Sequence, residues 1–122
     1  MNKLITGNLD QQVSSHPETG GWFLGCFMDK YPDFLSDDVE LKWVRHKKGD
    51  KKPGLLAATE TKTLVILING KFLIRFTEPN KEITLLKQGD FVFYDASQTS
   101  HESEALEDSL LLVVRYPSKR NN

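Results

Sequence analysis

From residue 39 onward the chain runs in short stretches that alternate apolar and polar side chains, broken by turn residues, with no sustained helical period. Val39, Leu41 and Trp43 alternate with Glu40 and Lys42, the period of two expected of a half-buried strand. Phe72, Ile74 and Phe76 repeat the pattern, and residues 61–68 are rich in β-branched side chains. Between these two runs stands Asn69-Gly70, the strongest short signal for a tight hairpin. Further strands are predicted at residues 22–28, 55–59, 83–86, 91–94, 101–105 and 109–116, with a charged loop over 47–54 and turns at 78–81 and 89–90. Roughly eight to ten short strands joined by turns predict an all-β chain, a sandwich or a closed barrel.

A length of 122 residues suits one domain and one core. Hydrophobic residues at 39% and charged residues at 27% are those of an ordinary globular chain. A formal net charge of −1 gives no bulk attraction to nucleic acid or to an anionic membrane. The lysines of residues 47–52 lack interleaved aromatics, so they read as a solvated loop rather than a nucleic-acid face. The longest apolar runs, such as residues 64–68, are far too short to span a membrane. The first residues lack the apolar core of a signal peptide, and Cys26 is the single cysteine. Both features lead us to expect a cytoplasmic protein, with Cys26 a buried small hydrophobe among Trp22, Phe23, Leu24, Phe27 and Met28.

Residues 89–101 hold the most specific signal: a Gly-Asp turn, the apolar run Phe91-Val92-Phe93-Tyr94, a small polar loop and then His101. Residues 64–72, Leu-Val-Ile-Leu-Ile-Asn-Gly-Lys-Phe, end in a glycine after an apolar strand. Together these two segments resemble the paired motifs of the cupins, and the resemblance covers about residues 39–116. It implies a double-stranded β-helix, or jelly-roll barrel, with a cavity between its sheets. It also implies three parts: an N-terminal arm and strand at 1–38 that can contact a second subunit, a barrel at 39–117 and a loose tail at 118–122.

The ligand positions depart from the cupin pattern. Counting back from Gly70, the motif glutamate falls on Thr63, and the His-x-His pair falls near Ala57 and Thr59. The proline and glycine of the second motif fall on Asp95 and Ser97. His101 matches the motif histidine if the loop carries one extra residue. A catalytic zinc or iron site needs about three protein ligands from His, Cys, Asp or Glu. No cofactor is therefore expected. The alternative is a divalent metal at His101, with Glu60 reaching the lumen only through a bulge.

Several side chains are candidates for a ligand-binding cavity. His101 is the candidate acid, base or hydrogen-bond donor, with Tyr94 or Asp95 as its partner. His46, at a strand end, is expected to reach the same mouth. Trp43 and Arg45 share the parity of Val39 and Leu41, so they face the lumen if that face is the inner one. Thr59 and Thr63 would lend hydroxyls to an apolar wall. His16 is read as exposed. The first expectation is binding of a small organic ligand without a metal. The second is a metal-independent isomerase, epimerase or lyase on a sugar or small acid, using His101 and Tyr94. The third is a structural or interaction scaffold. The apolar load of residues 22–35, and the habit of cupins to pair through their sheets, lead us to expect a homodimer.

Overall fold

The computed structural model describes residues 3–55, 60–96 and 98–118, of residues 53–55 the backbone alone. Among the described residues, nine strands form two antiparallel sheets. The strands are β1 (Trp22–Leu24), β2 (Glu40–His46), β3 (Lys51–Leu55), β4 (Lys62–Asn69), β5 (Phe72–Thr77), β6 (Asn80–Leu85), β7 (Phe91–Asp95), β8 (His101–Ala105) and β9 (Ser109–Tyr116). One sheet has the order β1-β2-β9-β4-β7 and the other β3-β8-β5-β6. Consecutive strands mostly change sheet, so the chain winds around one shared interior.

That interior is filled at one end by hydrocarbon. Leu67 at 0%, Ile74 at 2% and Leu85 at 2% exposure pack with Phe72, Ala105 and Leu111. Each comes from the inward parity of its strand, as a period of two requires.

Asn69-Gly70 does not make the expected hairpin. β4 pairs with β7 and β9, whereas β5 pairs with β6 and β8, so the dipeptide is a corner between sheets. Only Gly70 of the two has positive φ, at 105°, whereas the tight hairpin turn needs both. The corner is clamped on the turn before β9: Lys71 donates its N–H to Ser109 Oγ (3.1 Å), which donates to the Lys71 carbonyl (3.0 Å). A Cβ at Gly70 would collide with the Asp108 carbonyl and with Ser109.

Two other expectations shift. β3 starts inside the segment read as a charged loop, and its adjacent Lys51 and Lys52 lie on an edge strand paired to β8. The expected strand at 55–59 falls mostly on 56–59, outside the described residues. The N-terminal arm contains a short helix, α1 (Leu9–Ser14), capped by Asn8 Oδ1 accepting from Gln11 N–H (3.2 Å). It also contains 3-10 turns at Pro17–Thr19 and Pro32–Phe34. β1 then adds to the edge of the five-stranded sheet, so the arm is joined to the barrel by backbone pairing.

Cys26 is buried, and its N–H donates to Ser118 Oγ (2.9 Å). Ser118 is itself buried, so the expected loose tail is anchored at its first residue, and 119–122 lie outside the described residues. His16 is half-buried rather than exposed, 3.2 Å from the Tyr31 hydroxyl through Nδ1.

Candidate functional site

β2 decides what the lumen contains. Val44 pairs with Leu111, a core residue, and packs on the core itself. By parity Glu40, Lys42, Val44 and His46 point inward, and Leu41, Trp43 and Arg45 point outward. The expectation for Trp43 and Arg45 is thus reversed. Both reach Asp10 of α1 on the outer surface: Trp43 Nε1 donates to Oδ1 (2.9 Å), Arg45 Nε to Oδ1 (3.0 Å) and Arg45 Nη2 to Oδ2 (2.8 Å). The Arg45 hydrogen bond, with help from Trp43, holds the Asp10 carboxyl below the usual carboxylate range. Leu41 and Trp43 face outward, where the arm covers part of that side. Glu40 faces inward, where Arg115 and Ser118 meet its carboxylate.

Inside the five-stranded sheet, one transverse row is polar. Glu40 pairs with Arg115, Arg115 with Thr63, and Thr63 with Tyr94. Residues paired across antiparallel strands share a face. Glu40 is 7% exposed, accepts from Arg115 Nη1 (3.1 Å) and Ser118 Oγ (2.8 Å), and so is a satisfied buried carboxylate. Arg115 stacks over the Trp22 indole with its guanidinium carbon 4.8 Å from the ring centre, and Lys42 Nζ lies 5.5 Å from it. Arg115 Nε and Thr63 Oγ1 are buried without hydrogen-bond partners.

His101 comes from the facing sheet, where its residue pairs with Phe76. Its Nε2 is 3.2 Å from the Tyr94 hydroxyl, and the rings sit 4.8 Å apart. Phe76 backs both, at 5.1 Å from Tyr94 and 6.0 Å from His101. Burial first, then the positive charges of Lys52 and Arg115, push the His101 pKa below that of a free imidazole. Burial raises the Tyr94 pKa, while Arg115 opposes the rise. The Thr63 hydroxyl also opposes it by proximity, without reaching the geometry of a hydrogen bond. The imidazole thus favours its neutral form and the phenol keeps its proton. Tyr94, and not Asp95, is the partner facing inward.

His46 does not share this end. It stacks on Phe72 (5.4 Å between rings, 28° between planes), whereas His101 lies against Phe76. Phe72 and Phe76 are about 13 Å apart along β5. His46 pairs with Ser109 at the far end of its strand, so the expected shared mouth is not formed. Burial, with Lys42, lowers its pKa as well. Thr63 stands at the polar end as expected, at 1% exposure. Thr59 lies outside the described residues, and Glu60 is exposed.

Lys42, Arg115 and Lys52 were not foreseen. Arg115 was legible from the parity of Leu111 and Val113. Lys42 was not, because Leu41 and Trp43 beside it mimic an inward face. Lys52 extends from β3, where it pairs with Ser103, between His101 and Ala105.

The metal implied by cupin resemblance does not fit these residues. Among the described residues no three His, Cys, Asp or Glu side chains come together as a ligand set. His101 has a phenol and two cations about it instead, and a cationic surrounding repels a divalent ion. Elsewhere, a groove of about 200 Å³ beside α1, touching Ile5, Leu9, Gln12 and Phe34, shares no residue with the polar row. No helix among the described residues is long and apolar enough to cross a membrane.

No protein-family model and no curated protein matches this chain. Solved structures do. KdgF from a Halomonas species aligns with a TM-score of 0.60 and 20% identity, over 69% of this chain and 74% of that one. An RmlC-like cupin from Desulfovibrio desulfuricans aligns at 0.57 and 18%, over 67% and 74%. A sugar phosphate isomerase of the cupin superfamily from Silicibacter pomeroyi aligns at 0.56 and 19%, over 67% and 52%. With two antiparallel sheets wound about one core, the chain has the single-domain β-barrel fold of the cupin superfamily.

Proposed function

We propose that the barrel binds a small organic ligand at its polar end, without a metal. The observation that carries this is the His101–Tyr94 contact, 3.2 Å long and half-buried, set beside the unpartnered Thr63 hydroxyl. Buried donors and acceptors cost free energy unless they are paired, so unpartnered polar groups at one end of an otherwise hydrocarbon core favour a bound partner. The test is a thermal-shift screen of sugars and small acids, followed by NMR titration. A hit that moves the His101 and Tyr94 ring signals supports the reading. A screen with no shift, or hits that leave both rings unmoved, counts against it.

The same contact favours a second reading, metal-independent isomerisation, epimerisation or elimination on a sugar or small acid. A neutral imidazole accepts a proton and a protonated phenol donates one, the complementary pair such chemistry needs. The likeness to a sugar phosphate isomerase fold is compatible with it. Exchange of a carbon-bound proton in deuterated water, lost in His101→Ala, is the expected sign. Ligand binding with no exchange leaves the binding reading alone standing.

The chain is proposed to form a homodimer through the outer face of the five-stranded sheet. Phe91 is 63% and Phe93 49% exposed on edge strand β7, and they pair with Ile66 and Leu64, whose outward side chains are half-buried. A face of this kind is a liability on a monomer. A cytoplasmic setting suits the single, buried thiol of Cys26.

A further inference from the structure

The inward face of the five-stranded sheet carries Lys42 and Arg115, and β3 brings Lys52 toward them. Arg115 shares its charge with Glu40, which lies 3.1 Å from Nη1. Lys42 and Lys52 have no carboxylate within ion-pair distance among the described residues, although the molecule carries ion pairs at Lys3, Arg45, Lys71, Arg75 and Arg115. Of the two, Lys42 is half-buried, held on the inner face beside Arg115 with the Trp22 ring against both, and Lys52 is exposed.

Two further features point the same way. One guanidinium N–H, on Arg115 Nε, is buried with nothing to accept it, and the buried Thr63 hydroxyl has no partner. Trp22 offers a flat apolar surface between Arg115 and Lys42. A set of spare donors, positive charge and an aromatic wall matches an organic molecule that ends in an oxyanion.

Resting on the small-ligand reading above, we infer that the ligand is an anion, its carboxylate or phosphate oxygens received by Lys42, Arg115 and Lys52, with His101 and Tyr94 facing its uncharged part. An oxyanion would supply the acceptors that Arg115 Nε and Thr63 lack. It would also relieve the mutual repulsion of the cations. Burial, then the charges of Lys52 and Arg115, lower the Lys42 pKa to about 8, so its ammonium is only marginally held without a counter-ion. A bound anion favours the charged form. Affinity then falls as pH rises past about 8, because the free protein loses the proton that the complex requires.

The test uses the whole chain and three probes of similar size: glucose, glucuronate and glucose 6-phosphate. Binding is followed at low salt by NMR of the His101 ring, in the wild type, Lys42→Met and Lys42→Arg, with thermal unfolding as the check on folding. Lys42→Met removes a desolvated charge and keeps the unbranched stem, so it is expected to fold. At least one anion is expected to bind tenfold or more tighter than glucose. Lys42→Met should lose that tenfold preference and Lys42→Arg retain most of it. Which of the two anions gains decides between carboxylate and phosphate.

Equal binding of all three with movement of His101 overturns the anion assignment and leaves the small-ligand reading intact. Anion binding that neither moves His101 nor responds to Lys42→Met places the event elsewhere and counts against both. Absence of binding by every probe at millimolar concentration overturns the anion assignment, while the small-ligand reading stands or falls on its own screen.

Discussion

Tyr94 and His101 meet across the two sheets, the phenol oxygen 3.2 Å from Nε2, each backed by the ring of Phe76. Neither partner is local to the other in a helix or hairpin sense. The loop between β7 and β8 changes sheet, and the contact exists because the barrel closes. Tyr94→Phe should cost about 1 kcal/mol of stability, the value of one such hydrogen bond. It should also weaken ligand binding more than it weakens the fold. Urea denaturation and titration of the same variant measure the two effects separately.

Both inward histidines should make the protein less stable in mild acid. His46 and His101 have folded-state pKa values pushed below the ordinary 6.5 by burial first. The unfolded chain therefore binds more protons than the folded one between those values and 6.5. Stability is fully present above pH 6.5 and is lost as pH falls through the folded values. Proton NMR titration of the two rings, with thermal melts between pH 5 and pH 8, tests the sign. Midpoints at or above 6.5 for both rings contradict it.

Glu40 holds Arg115 and Ser118 together at 7% exposure. Glu40→Ala should destabilise the fold by about 2 kcal/mol or more, because a partly buried guanidinium and a buried hydroxyl lose their acceptor at once. Glu40→Gln should be milder, since an amide oxygen still accepts. Comparing the denaturation midpoint of Glu40→Gln with the wild type isolates the charge, and comparing it with Glu40→Ala isolates the acceptor.

Gly70→Ala should cost about 1–3 kcal/mol from backbone conformation alone. The collision with the Asp108 carbonyl adds to it. The φ of 105° is one L side chains rarely adopt. A variant of near wild-type stability would mean that the corner between β4 and β5 is built differently.

Phe91→Glu with Phe93→Glu should convert the proposed homodimer to monomer without unfolding it, since both rings are outward and exposed. Light scattering coupled to size-exclusion chromatography reads the result. A monomeric wild type disposes of the dimer, and an undisturbed dimer in the double variant moves the interface to another face.

The polar end was partly legible before folding. His101 stood out because a Gly-Asp turn, an apolar strand and a small-residue loop precede it, and Tyr94 because it closes that strand. Thr63 was placed by counting back from Gly70. Trp43 and Arg45 misled because Val39, Leu41 and Trp43 were taken to mark the inner face, whereas Leu41 and Trp43 lie on the outer face of β2 and Val44 on the inner one. A period of two fixes which residues share a side, but not which side is the core.

The sequence by itself determined most of the strands, their alternation and the class of fold, because those follow from residues a few places apart. Only the tertiary structure decided the facing of β2, the separation of His46 from His101 and the meeting of Lys42 and Arg115 at Trp22. Those depend on which sheet each strand joins and on what the arm covers, contacts between residues far apart in the chain that local chemistry does not encode.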